Sequence, residues 1–274
     1  MRILFVLSCC WLSSALAQTA STVTLTRLDC GNEPEPTSVA SFSDTYGATD
    51  LEIQLTYSCY LIRHGDEYMI WDAGNRLGGG PESPKTSLVE LLGKLKIKPE
   101  QVKYLGISHH HYDHIGQAAL FPQAALLIGK GDWEALTPEK PPERVTPDEF
   151  TAWRSPLAPW ISGGGKVEPL SRDKKDVFGD GTVVMLSLPG HTPGHHGLLV
   201  RLAQMGPVLL SGDATHFHEN YKNDGVPTWN FNRADTLASL DRFREIARNL
   251  RATVIIQHDP RDIDKLPAFP AAAR

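Results

Sequence analysis

Residues 108–114 read Ser108-His109-His110-His111-Tyr112-Asp113-His114, and no other stretch constrains the chain as strongly. His109, His111, Asp113 and His114 crowd imidazole nitrogens and a carboxylate into a few positions. These are donor types that suit zinc and neighbouring divalent ions. The preceding residues, 102–107, form a short apolar run expected to be a strand. Donors leaving the C-terminal end of a buried strand occupy the usual site position of an α/β sheet. Further donors stand downstream: His191 within 188–195, Asp213 in Ser211-Gly212-Asp213-Ala214, and His258 in Ile255-Ile256-Gln257-His258-Asp259. A surface histidine cluster is the bland alternative, and it leaves these downstream donors unexplained.

The pattern around the cluster mixes both periodicities. Strands are expected at 55–63 and 67–71, joined by the turn signal Gly65-Asp66, and again at 124–128. Leu88, Leu91, Leu92 and Leu95 recur at helical spacing within 85–95, and 115–120 also reads as a helix. Strands at 182–188, 197–202, 208–210 and 253–256 surround a helix at 234–249, whose apolar face carries Leu237, Leu240, Phe243 and Ile246. Residues 137–160 differ: Pro138, Pro141, Pro142, Pro147, Pro156 and Pro159 alternate with Phe150, Trp153 and Trp160. Proline at that density is expected to break regular structure. The aromatics then cover the site, meet a second subunit of a homodimer, or pack among themselves. By itself the pattern supports an α/β chain.

The N-terminus reads as a targeting segment. Arg2 precedes an apolar or small run over 3–16, too short to span a bilayer, and Ala15-Leu16-Ala17 forms an A-x-A cleavage site. Residues 1–17 are therefore expected to be a signal peptide. Residues 18–274 then form a single domain with a Pro/Trp-rich excursion near 137–165, periplasmic or secreted and without stable membrane association. A lipoprotein reading at Cys9 would need a longer apolar run before it. Cleavage removes Cys9 and Cys10 and leaves Cys30 and Cys59, an even pair in an oxidising compartment. If the strands holding them pair antiparallel, the two thiols can face each other as a disulfide. Otherwise they are small buried hydrophobes. A net charge of −5 with no long Lys/Arg run argues against a nucleic-acid partner.

In order and wording, these motifs resemble the metallo-β-lactamase superfamily, and most of all its N-acyl homoserine lactonase branch. The resemblance runs from about residue 22 to 259. The 108–114 motif is specific for the superfamily; Asp213 followed by Glu219-Asn220-Tyr221 leans toward the lactonases. It implies an αβ/βα sandwich holding two divalent metal ions, most simply Zn2+. His109, His111 and His191 would bind one ion and Asp113, His114 and His258 the other, with Asp213 bridging both. A metal-bridging hydroxide would attack the ester carbonyl of a small-molecule lactone, and Asp113 would shuttle a proton to the leaving alkoxide. Asp72, at a strand end, matches the family's supporting aspartates.

Several histidines stand outside that set. His110 is expected to point away from the ligands, His195 to support them, and His64 to be exposed beside a turn. Many homoserine lactonases carry a tyrosine three residues after the bridging aspartate; here His216 stands there, and it too can donate a hydrogen bond. The departure bears on substrate, not on the metal set. Among rivals, class B β-lactamases lack the bridging aspartate. Glyoxalase II adds a C-terminal helical region, whereas 16 residues follow His258 here. A phosphodiesterase fits poorly with the acidic charge. A mononuclear iron oxygenase or a non-catalytic metal binder would leave part of the seven-residue set idle.

Overall fold

The computed structural model describes residues 22–141 and 145–274. The expected signal peptide lies outside them. In chain order the strands and helices are β1 (Val23–Asn32), β2 (Thr37–Ser38), β3 (Glu52–Ile53), β4 (Thr56–His64), β5 (Glu67–Trp71), α1 (Leu88–Lys94), β6 (Val102–Gly106), α2 (Tyr112–Ile115), β7 (Ala125–Gly129) and α3 (Lys130–Leu136). They continue with α4 (Pro147–Arg154), α5 (Ala158–Ile161), β8 (Val167–Leu170), β9 (Lys174–Asp176), β10 (Val183–Ser187), β11 (His196–Leu202), β12 (Gly206–Leu210), α6 (His218–Asn223), α7 (Arg233–Leu250) and β13 (Thr253–Ile255). Among the described residues no helix is long and apolar enough to cross a membrane.

Two sheets carry the fold, ordered β1-β4-β5-β6-β7-β8 and β13-β12-β11-β10-β9. Their central strands are apolar on both faces, and the period of two sends alternate residues to different layers. Along β4, Tyr60 and Ile62 enter the core between the sheets, while Tyr57, Cys59 and Leu61 face the helices outside. In β12, Val208 and Leu210 point inward and Leu209 meets Phe243 and Ala247 of α7. Leu88, Leu91 and Leu92 of α1 cover the outer face of the first sheet. Helix, sheet, sheet, helix is thus the layer order, the expected αβ/βα sandwich.

Strand direction places the site. β5, β6 and β7 run parallel, as do β12 and β13. Asp72, the 108–114 segment and the start of α3 leave one sheet at the same end. Asp213 and His258 leave the other just after β12 and β13, and His191 follows β10.

The cysteines meet as expected. β1 pairs antiparallel with β4, and Cys30 and Cys59 form a disulfide with a Cα–Cα distance of 5.9 Å. Other local expectations need correction. Instead of one helix over 115–120, α2 ends at Ile115 and a 3-10 turn covers Ala118–Leu120. In the proline-rich stretch, residues 147–161 are helical. Pro147 starts α4 behind a Thr146–Glu149 capping box and Pro159 lies in the first turn of α5, positions where proline's missing N–H costs no helical bond. Its aromatics pack inward: Phe150 and Trp160 are buried, and the Trp160 indole donates to the Ala124 carbonyl at 2.9 Å.

Candidate metal centre

The fold gathers all seven expected donors at one end of the sandwich. One ligand atom from each of His109, His111, His191 and Asp213 lies within 4.8 Å of the others, and the same holds for Asp113, His114, Asp213 and His258. Asp213 belongs to both groups. His109 Nε2 and His191 Nε2 approach His111 Nδ1 at 2.9 and 3.0 Å, and His114 Nε2 lies 3.2 Å from His258 Nε2. Asp213 Oδ1 sits 2.8 Å from His258 Nε2 and 3.2 Å from His114 Nε2, yet it makes no hydrogen bond. Asp213 Oδ1 thus lies close to two imidazoles without hydrogen-bond geometry, and each group gathers its donor atoms around a shared point.

The outward nitrogens explain which atoms face inward. His258 Nδ1 donates to the Thr56 carbonyl at 3.0 Å, and His191 Nδ1 to Asn230 Oδ1 at 2.8 Å. His114 Nδ1 donates to Asp72 Oδ2 at 2.9 Å, and His109 Nδ1 meets Ser108 Oγ at 3.0 Å. A proton held on Nδ1 leaves the Nε2 lone pair free, the form that coordinates a cation. The donor set therefore fits two divalent ions.

Electrostatics differ between the groups. Burial holds His109 and His191 well below the usual imidazole range, and burial with His110 beside it pushes His111 down to about 4. Burial opposes charge on His114 and His258 too, but Asp213 and Asp113 outweigh it and hold both above the ordinary value. Asp113, which burial alone would raise, is brought to about 2 by His114 and His258. Asp213 is likewise held well below its ordinary value, against burial, by the imidazoles around it. Buried carboxylates here demand positive charge, the role a bound cation fills.

Support reaches the site from far along the chain. Asp72, in the left-handed region at φ 58°, accepts from Ser108 N at 2.6 Å and from Gln257 Nε2 at 2.9 Å as well as from His114. The Gln257 oxygen takes the Trp71 indole and Gly212 N at 3.0 and 2.9 Å, tying the segments on either side of the site. His195 does support the centre: its Nδ1 donates to the Leu188 carbonyl and its Nε2 accepts from Asp213 N at 2.8 Å. His110 points away, with Nδ1 3.2 Å from Asp132 Oδ2 and its ring against Trp153. His64 is not simply exposed; it bonds Asp180 at 2.7 Å and stacks on Phe178. His218 bonds Asp262 at 2.6 Å, behind the site.

His216 is buried beside the donors. Its Nε2 lies 3.2 Å from Asp213 Oδ2, its ring stacks over His258 at 5.7 Å, and Phe42 packs against it at 4.8 Å. Its Nδ1 has no hydrogen-bond partner among the described residues. Phe42 in turn meets the half-exposed Trp229 edge-on. Sequence reasoning missed Asn230, Gln257 and Asp132; none stands in a local pattern that marks it.

Known proteins resemble this chain in sequence and in fold. Residues 54–258 match the family model of the metallo-beta-lactamase superfamily. The chain is 32% identical over 254 residues to the N-acyl homoserine lactonase AttM of Azorhizobium caulinodans, covering 81% of this chain and 87% of that protein. It is 30% identical over 172 residues to an N-acyl homoserine lactonase of a Bacillus species, covering 63% of this chain and 62% of the relative. A quorum-quenching N-acyl homoserine lactone lactonase of known structure superposes with a TM-score of 0.73 at 22% identity, over 92% of this chain and 98% of its own. The dizinc quorum-quenching lactonase AidC superposes at 0.69 and 17% identity, over 92% and 90%. At such identities the two superpositions concern the fold.

Proposed function

This chain belongs to the metallo-beta-lactamase superfamily, and from that premise we propose that it is an exported, dinuclear metal-dependent hydrolase that opens the ring of N-acyl homoserine lactones. The observation that carries the reading is the pair of donor groups sharing Asp213. Support for the substrate comes from the lactonase relatives, above all the 32% identical AttM.

His109, His111 and His191 would hold one cation, Asp113, His114 and His258 the other, and Asp213 both. Bound zinc would supply Lewis acidity, making a nucleophile of water at neutral pH and polarising the ester carbonyl. The protein's own groups do the rest. Asp213 and the Nδ1-protonated imidazoles stay in place because Asp72, Asn230, Thr56 and His195 hold them from outside. Asp113, half a turn from His111 on α2 and only partly buried, carries the proton toward the alkoxide that leaves. His216 presents an imidazole N–H to the substrate's oxygen, replacing the tyrosine hydroxyl of many homoserine lactonases. Phe42, packed on His216, and the half-exposed Trp229 against it would offer apolar contact to an acyl chain.

Purified protein assayed side by side on acyl homoserine lactones, a cephalosporin and a glutathione thioester tests the reading. Preferred opening of the homoserine lactones is expected. Turnover of the cephalosporin or thioester alone would overturn it.

A further inference from the structure

Outside the donor set, one buried carboxylate reaches both halves of the three-histidine group. Asp132, on α3 directly after β7, is fully enclosed. Its Oδ2 accepts from His110 N at 3.1 Å and from Thr192 Oγ1 at 2.9 Å, and its Oδ1 accepts from Gly194 N at 2.7 Å. His110 stands between His109 and His111. Thr192 and Gly194 belong to the turn that carries His191. All three imidazoles of one group therefore ride on backbone tethered to a single side chain.

The surrounding glycines exist for this approach. A Cβ on Gly129 would lie 1.8 Å from the Gly194 carbonyl oxygen, one on Gly131 2.8 Å from Pro193, and one on Gly194 2.5 Å from Asp132 N. The start of α3 and the 191–194 turn thus touch backbone to backbone, leaving no room for water to replace the carboxylate. None of Asp132's hydrogen bonds goes to Asp113, His114 or His258. That group is held separately, by Asp72 and the Thr56 carbonyl.

We propose that Asp132 is the positioning residue of the His109–His111–His191 site alone, setting the separation of its two segments and hence its affinity for a cation. The inference rests on the two-cation reading above. Metal–ligand distances tolerate only a few tenths of an ångström, so letting the segments part weakens the site. In Asp132→Asn one oxygen still serves Gly194 N, but an NH2 group then faces the His110 N–H. The buried His110 N–H then faces a donor and loses its acceptor, which loosens the tether on the 109–111 segment.

Zinc affinity, measured by competition with a chromophoric chelator, tests this in two backgrounds. His258→Ala leaves the three-histidine group intact; His191→Ala leaves the other. Adding Asp132→Asn should weaken zinc binding roughly ten- to a hundredfold in the first background, the range for groups that orient ligands, and leave the second unchanged. Thr192→Val removes one tether and should give a smaller loss with the same selectivity, even if Asp132→Asn accumulates poorly. Equal weakening in both backgrounds, or none in the first, would overturn the proposal while leaving two-cation binding intact. Failure of the unsubstituted protein to bind two zinc ions would overturn both.

Discussion

Replacing both disulfide cysteines by alanine should destabilise the protein substantially. Cys30 and Cys59 are 29 residues apart and fully buried, and their bond ties β1 to β4 beneath the site. For a loop of that length the chain-entropy model gives about 3.6 kcal/mol at 25 °C. The sulfurs also fill the space beside Gly74, where a Cβ would lie 2.5 Å from Cys30 Sγ and 2.9 Å from Cys59 Sγ. Truncation therefore adds a packing loss of the same sign. For a domain of this size each kcal/mol moves the melting temperature by about 2–4 °C, so a fall of about 7–14 °C is expected. Thermal melts of the parent and of Cys30→Ala/Cys59→Ala, both isolated from an oxidising compartment, measure it. Intact mass after alkylation without reductant shows that the parent starts bonded. A bonded parent whose melting temperature stays within about 2 °C of the variant's would refute the entropic reasoning.

Three further outcomes follow from the same structure. His216→Ala should keep two metals and a cooperative melt, because His216 stands outside both donor groups, yet lose roughly 100- to 1,000-fold in kcat on its best lactone; a parental rate across pH 6 to 9 would show that His216 is only a wall. Asp213→Ala should lower bound metal below two equivalents and abolish turnover, as elemental analysis and a lactone assay would show. Arg261 donates to both Glu219 oxygens, at 3.0 and 2.8 Å, and holds that carboxyl below its ordinary value of 4.5. A depressed folded-state pKa stabilises above the unfolded value and loses that contribution as pH falls through the folded one, so the melting difference between parent and Arg261→Gln should be full at pH 7 and shrink below about pH 4.5.

The legible parts of this molecule are those written in short sequence. Four donors fall within 109–114, and the apolar run before them announces the strand that delivers them. His191, Asp213 and His258 each follow a strand readable from its apolar pattern. The residues that hold the donors in place were not legible. Asp132 meets Gly194 across 62 positions, Asn230 meets His191 across 39 and Gln257 meets Asp72 across 185. Those separations close only in the folded chain, and a lone Asp, Asn or Gln carries no spacing to betray its partner. The proline-rich segment misled for another reason. Proline counts as a breaker in a helix interior but as a starter in the first turn, and the Thr146-Pro147-Asp148-Glu149 box, present in the sequence, marks the second case.

Titrating zinc into the metal-free protein while following lactone opening tests the central claim most directly. If two cations share Asp213, hydrolysis should rise with added zinc and level off at two equivalents per chain. Full turnover with no zinc, or a plateau at one equivalent, would contradict a dinuclear centre.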